Sequence, residues 1–343
     1  SDIDQDGDLD LLMSGQSADP LSGVSRLYKN EPVGRLSEDT NQEIAGLKGT
    51  ASCFTDLDLD GDQDLIMSGW SPITQSLKTY IYINEPTGTF RLADEQIDFA
   101  IIYGAIESRD INSDGLPDFS ISGVTDHEML PDTTYDLTNI QTNFSGDTTS
   151  ADTLWQYTYL DTVKSLGGKI FINNGDFTFN ESQNFEGARN IVFLDINQDS
   201  KPDIISSGTT AIGNIDSTFC YVYINSTLDG NNIPSPPEVL ESFAVSNRAI
   251  FNWGPGFDDI DPSQSLRYNL RIGRNSGSSE LLSPSGIENQ SNVGTKLIRE
   301  FIEIPWGDYY WSVQTLDASG QLSAWSEEKK FFIPRLVASN QSL

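Results

Sequence analysis

The chain has 343 residues, 37% of them hydrophobic and 10% aromatic, and carries 51 acidic against 20 basic side chains for a net charge of −31. That apolar share can fill two or three folded cores and excludes a disordered acidic tail. The charge disfavours nucleic acid and anionic membrane surfaces as partners, and no apolar run approaches the ~20 residues a helix needs to span a bilayer.

The chain opens without Met, inside an acidic stretch. It therefore reads as a fragment or processed piece of a longer polypeptide or surface assembly, and the lack of a signal peptide carries little weight. That first stretch is Asp2-Ile3-Asp4-Gln5-Asp6-Gly7-Asp8-Leu9-Asp10. It returns as Asp56-Leu57-Asp58-Leu59-Asp60-Gly61-Asp62-Gln63-Asp64, as Asp110-Ile111-Asn112-Ser113-Asp114-Gly115-Leu116-Pro117-Asp118, and as Asp195-Ile196-Asn197-Gln198-Asp199-Ser200-Lys201-Pro202-Asp203. Five carboxylates within nine residues repel one another unless a cation lies between them. Ca²⁺ takes six to eight oxygens, and side chains at positions one, three, five and nine, with the backbone carbonyl of position seven, supply them. The position-seven residues are Asp8, Asp62, Leu116 and Lys201. Glycine at position six permits the sharp turn; in the fourth copy Ser200 must take that conformation. One such loop reads equally well as a solvated acidic turn, but four in register point to up to four calcium ions, which would add +8 to the net charge of −31.

The loops begin at residues 2, 56, 110 and 195, and a near-constant period marks a repeat architecture. After each comes a short apolar run ending in Ser-Gly: Leu11 to Gly15, Leu65 to Gly69, Phe119 to Gly123, Ile204 to Gly208. An aromatic-rich run then ends in Asn30, Asn84, Asn173 or Asn225, and a further short run such as Thr89 to Leu92 follows. A last apolar segment, such as Ala51 to Thr55 or Asn190 to Leu194, leads into the next loop. The runs are β-branched or aromatic and bounded by Gly, Asn, Pro and Asp, so they read as strands. Four strands per repeat fit the blade of a β-propeller, with the loop joining first strand to second. Cys53 and Cys220 lie in such runs and read as two buried thiols packing as small hydrophobes, although a pairing between them stays open.

The pattern D-x-[DN]-x-D-G-x-x-D, followed by an apolar strand and Ser-Gly, resembles the FG-GAP/VCBS repeats of integrin-alpha-like propellers and of exported bacterial surface proteins. Phe185-Glu186-Gly187 and Ile44-Ala45-Gly46 stand where that family places its Phe-Gly. The resemblance covers residues 1–228 and implies an all-β fold, a partial or complete propeller of four-stranded calcium-loop blades. Family propellers usually have seven blades, against four loops here, so either further blades lie upstream or the ring is unusual. Between Gly123 and Lys169 the third repeat carries an insertion, about 124–168, holding the one histidine, His127. It reads as a decorating loop that binds a partner or as a plain excursion. Its Asp132-Thr133-Thr134, Asp147-Thr148-Thr149, Asp152-Thr153-Leu154 and Asp161-Thr162-Val163 resemble the O-glycosylation sites of exported Bacteroidota proteins.

Residues 229–237 read as a linker, flexible at its Gly and Asn residues and stiffened by prolines. From 238 to 334 the alternation changes, and the pattern resembles a fibronectin type III β-sandwich: Trp253 on the second strand, Tyr309 as tyrosine corner, Trp311 and Val313 inward, and Asp317 to Gly320 as a turn. Residues 335–343 read as a tail or the start of another linker.

Nothing in the sequence carries catalysis. One histidine makes no histidine-based metal site, Gly-x-Ser-x-Gly is absent, and every dense acidic cluster already stands at calcium-ligand spacing. Trp70, Trp155 and Trp306 could stack on a sugar or serve as core or interface residues. The sequence thus reads as a non-enzymatic, calcium-stabilised secreted or cell-surface binding and adhesion module that presents propeller loops to a protein or glycan. The alternative is an accessory, non-catalytic region of a larger exported hydrolase or carbohydrate-active enzyme.

Overall fold

The computed structural model describes residues 1–4, 9–17, 22–31, 35–85, 88–126, 165–212, 215–226, 231–286 and 291–335. These residues form strands and turns with no helix, and no helix is long and apolar enough to cross a membrane. Four antiparallel sheets follow one another along the chain. The first is built of β1 (Leu11–Gln16), β2 (Gly23–Glu31) and β3 (Arg35–Asp39). The second comprises β4 (Lys48–Thr55), β5 (Asp64–Ser71), β6 (Ser76–Glu85) and β7 (Thr89–Leu92). The third comprises β8 (Ile102–Arg109), β9 (Asp118–Asp126), β10 (Ser165–Asn173) and β11 (Phe179–Glu186). The fourth comprises β12 (Ala188–Leu194), β13 (Asp203–Ile212) and β14 (Ile215–Tyr223).

In the second, third and fourth sheets the acidic loop joins the first strand to the second, as the sequence requires, and each sheet is a meander ordered along the chain. This is a propeller-like, all-β arrangement. It departs from the four-strand expectation in the fourth sheet: among the described residues no strand lies beyond β14, because the chain leaves there for the C-terminal unit.

Period-two alternation gives every sheet two faces, and neighbouring sheets bury them against each other. Leu27 of the first sheet packs with Leu65, Met67, Tyr82 and Phe90 of the second. Ile66 and Ile81 pack with Ile106, Phe119, Ile121 and Phe171 of the third, and Ile170 and Phe185 with Ala188, Ile191 and Phe193 of the fourth. The serines of the first three Ser-Gly pairs are aimed at the next sheet. Ser14 Oγ lies 3.0 Å from Thr50 Oγ1, and Ser68 and Ser122 accept from the amides of Ile101 and Ile191 at 2.8 and 3.0 Å.

The C-terminal unit is two three-stranded sheets sharing one core. One holds β15 (Leu240–Val245), β16 (Arg248–Trp253) and β18 (Ile298–Phe301); the other holds β17 (Arg267–Gly273), β19 (Gly307–Leu316) and β20 (Lys329–Ile333). Phe251, Trp253, Tyr268, Tyr309, Trp311 and Val313 fill the space between them. Phe251 meets the Trp311 ring edge-on at 5.0 Å, and Tyr309 donates its hydroxyl to the Pro305 carbonyl at 2.8 Å. The segment read as a linker is tied down: Asn231 is buried with its amide on Asp317 Oδ2 at 2.6 Å, and Ser235 bridges to Phe257.

Several sequence expectations change. Both cysteines are free, and Cys220 is exposed on β14. Among the described residues no further sheet covers it on that side. Cys53 is half-buried, and burial, then Glu107, pushes its thiol up to about 12. Trp306 is exposed and Trp70 half-buried, so neither is a core residue. His127, Trp155 and the Asp-Thr sites lie outside the described residues, as does most of the 124–168 insertion; its ends extend the β9–β10 hairpin. Because Phe119 contacts both Phe171 and Phe179 at one of these junctions, Phe119→Ala should cost about 3–5 kcal/mol. Denaturant unfolding checks this, and a loss below about 1 kcal/mol would contradict the packing.

Candidate metal centre

The second, third and fourth loops share one conformation. Position four is left-handed at Leu59, Ser113 and Gln198 (φ 61°, 61° and 62°), and position six is left-handed at Gly61, Gly115 and Ser200 (φ 98°, 87° and 67°). Ser200 thus takes the backbone shape that glycine adopts freely, at a steric cost. Folded this way, the loop wraps its own position-one carboxylate. Asp56 accepts from the amides of Asp60 and Gly61 at 3.1 and 3.0 Å, Asp110 from Asp114 and Gly115 at 3.3 and 2.9 Å, and Asp195 from Asp199 and Ser200 at 3.1 and 2.9 Å. Position five caps position seven: Asp60, Asp114 and Asp199 accept from Asp62, Leu116 and Lys201.

Position nine does something the sequence did not reveal. Each of Asp10, Asp64, Asp118 and Asp203 takes one bond from the position-two amide of its own loop (Ile3, Leu57, Ile111, Ile196) at 2.8 to 3.0 Å. Each takes a second from the backbone amide of the asparagine that ends the aromatic run (Asn30, Asn84, Asn173, Asn225) at 2.7 to 2.9 Å. The side chains of these asparagines then reach backwards. Asn84 Nδ2 donates to the Ile3 carbonyl at 2.8 Å, Asn173 to Leu57 at 2.8 Å and Asn225 to Ile111 at 2.9 Å. One hydrogen-bonded chain therefore runs from Asn30 through all four loops to Ile196. The repeated Asn was the available signal; its partner lies 81 to 116 residues away, beyond any local pattern.

The structure brings Asp2, Asp4 and Asp10 together, and likewise Asp56, Asp58 and Asp64, with carboxylate oxygens in each trio within 4.8 Å of one another. Lys29 also pairs with Asp4 at 3.2 Å. Asp6 and Asp8 lie outside the described residues. In the third and fourth loops Asn112 and Asn197 replace a carboxylate and donate to Asp114 and Asp199 at 2.8 and 3.0 Å.

The crowding shows in the acidities. Burial, then Asp60 and Asp58, raises Asp56 to about 7; burial raises Asp64 to about 9 against two backbone amides that oppose it. Burial likewise lifts Asp110 to about 6 and Asp118 to about 7. Burial and the neighbouring carboxylates, Asp60 foremost, raise Asp62, whose buried Oδ1 has no hydrogen-bond partner. Oxygen-only donors, convergent trios and an orphaned buried oxygen fit a hard divalent cation such as Ca²⁺.

The C-terminal unit sits on this loop face. Thr295 donates to the Gly61 carbonyl at 2.7 Å, the Asp110 amide donates to Ala318 at 3.2 Å, and Arg109 donates to the Ser319 carbonyl at 3.3 Å. Beneath that turn, Asp261 accepts from the Ala318 amide at 2.6 Å and Arg267 donates to the Asp317 carbonyl at 3.0 Å. Burial raises Asp261 to about 7 and Asp317 to about 6. Position-six residues Gly61 and Gly115 are buried under this cap, while Asp195, Asn197 and Asp199 stay half-buried or exposed.

This loop geometry has a counterpart among known sequences. Residues 2–67 match the FG-GAP-like repeat family. No curated protein matches the chain. Among solved structures, the chain is similar to MPT-4, a mannose phosphorylase from Leishmania mexicana, at 10% identity and TM-score 0.28, covering 87% of this chain and 76% of that one. It is also similar to the extracellular domain of a hybrid two-component system from B. thetaiotaomicron, at 12% identity and TM-score 0.26, covering 94% of this chain and 44% of that one. A β-1,2-glucanase from Parabacteroides distasonis gives 12% identity and TM-score 0.25, covering 87% and 38%. Likenesses at these TM-scores assign neither fold nor activity to the chain.

With chelator present, the folded state holds protons on Asp56, Asp64, Asp110 and Asp118 that the unfolded chain has released, so stability should fall as pH rises from about 4 to about 9. A bound divalent cation replaces those protons. The difference in melting temperature between calcium and chelator should therefore widen from pH 5 to pH 8. A difference independent of pH would contradict this. Asn173→Ala leaves the Leu57 carbonyl without its donor and should cost about 1–3 kcal/mol in denaturant unfolding, where a change under about 0.5 kcal/mol would deny the linkage.

Proposed function

We propose that the chain is a non-enzymatic, calcium-stabilised binding module of an exported or cell-surface protein: a row of FG-GAP-type propeller blades carrying a fibronectin type III-like sandwich. The observation that carries this reading is the convergence of Asp56, Asp58 and Asp64, repeated at Asp2, Asp4 and Asp10, in loops whose pattern the FG-GAP-like match includes. Calcium would be held by the side chains of positions one, three, five and nine and by the position-seven carbonyls of Asp8, Asp62, Leu116 and Lys201. The two-sheet order of the C-terminal unit and the bond from Tyr309 to Pro305 support the sandwich assignment. Capped and rigid on one face, the blades would present their remaining edge loops to a protein or glycan.

Titration calorimetry on decalcified protein tests the metal. Uptake of up to four ions is expected, with the open fourth loop weakest, and Ser200→Gly should remove about 1 kcal/mol of strain from that loop and tighten its site roughly fivefold. No calcium uptake would end the reading. Binding to a glycan array or capture of a surface protein by the calcium-loaded chain tests the recognition role.

A further inference from the structure

The C-terminal unit grips the second and third acidic loops at the peptide groups that carry their ligands. Thr295 donates its hydroxyl to the Gly61 carbonyl at 2.7 Å. The N–H of that same planar peptide belongs to Asp62 and donates to Asp60 Oδ1 at 3.0 Å. Holding the carbonyl therefore aims the amide that holds the position-five carboxylate. In the third loop both backbone groups of Asp110 are taken. Its amide donates to the Ala318 carbonyl at 3.2 Å, and its carbonyl accepts from Ser319 Oγ at 3.4 Å.

Both grips are mounted on the frame of the C-terminal unit. Thr295 follows Gly294, whose carbonyl accepts from the Tyr268 amide of β17 at 2.9 Å, and Val293, which is buried in the core between the two sheets. Ala318 and Ser319 stand in the turn after β19, where Asp317 accepts from the Gln321 amide and from the Asn231 side chain, both at 2.6 Å. The fit is close: a Cβ on Gly61 would lie 3.1 Å from the Gln264 carbonyl oxygen, and one on Gly115 3.1 Å from Ile260 Cγ2. The fourth loop supplies the contrast, since its Asp195 is half-buried and its Asn197 and Asp199 are exposed, whereas Asp56 and Asp110 are buried. Charge acts in the same direction. Asp261 of the C-terminal unit is close enough to Asp110 for the two like charges to oppose each other, and a cation held by Asp110 would offset that repulsion.

We propose that Thr295 and the Ala318–Ser319 turn are positioning groups for the cations of the second and third loops, so that cation uptake and docking of the C-terminal unit strengthen each other. This rests on the calcium reading above. The coupling is reciprocal by linkage: whatever factor docking gains from the ions, the ions gain from docking. Without ions the loops lose the shape that presents the Gly61 and Asp110 backbone groups, and the two parts separate while each stays folded.

Titration calorimetry of the decalcified full chain with calcium, together with small-angle scattering of the wild type in calcium and in chelator, tests this. T295V keeps the shape of the side chain but removes its hydroxyl, so one ion should be held about two- to tenfold more weakly than in the wild type. T295S should retain wild-type affinity. In D60A, which lacks the carboxylate that Thr295 positions, adding T295V should change nothing further. Chelator should enlarge the radius of gyration of the wild type with its circular dichroism unchanged, and calcium should reverse the change. Calcium uptake with unaltered affinity in T295V overturns the coupling and leaves the calcium reading standing. So does a radius that stays constant, or one that grows only as the circular dichroism is lost. No calcium uptake by the wild type ends both.

Discussion

The structure depends on how closely carboxylates are packed in its loops. Each position-nine aspartate is buried and holds two backbone amides, one from its own loop and one from the asparagine that ends the aromatic run. Those bonds fix the shape of the turn only while the carboxylate is an acceptor. In the first two loops, two further carboxylates come within 4.8 Å of it. Burial raises Asp56, Asp64 and Asp118 well above the usual carboxylate range, so the packing favours their protonated forms when nothing else balances the charge. A hard cation in each loop, as proposed, would let these carboxylates ionise and keep their amides. The loops and the sheet junctions are therefore one problem, because Asn84, Asn173 and Asn225, each bonded to a position-nine aspartate, also grip the preceding loop.

The same coupling explains the placement of the C-terminal unit. It sits on the second and third loops through backbone groups of Gly61 and Asp110, positions that stay fixed only if the loop is fixed. The Asp317 to Gly320 turn packs against the residue that begins the third loop, with Arg109 and Arg267 contributing positive charge beside Asp261 and Asp317. Loops that read as surface decoration are in part an internal platform.

Much of this was legible in the sequence because it is local and repeated. Acidic residues spaced around a glycine specify a tight turn, and β-branched and aromatic runs bounded by Asn and Gly specify strands. Ser200 had to adopt a left-handed backbone, and it does. What could not be read are contacts between residues far apart in the chain. Asn173 reaching Leu57, Ala318 accepting from Asp110 and Asn231 locking Asp317 leave no periodic trace. The fourth sheet misled for a related reason. Its residues repeat the pattern of buried equivalents, so Cys220 read as buried, but burial is conferred by a neighbouring sheet and not by the strand itself.

The most direct test is diffraction from crystals grown in calcium, recorded at a wavelength where calcium scatters anomalously. Anomalous peaks between Asp56, Asp58 and Asp64 and between Asp2, Asp4 and Asp10, each ringed by six to eight oxygens at about 2.3–2.6 Å, are what the packing of these carboxylates requires. Density showing the same turns closed, with no ion and with the carboxylates paired by shared protons, would contradict it.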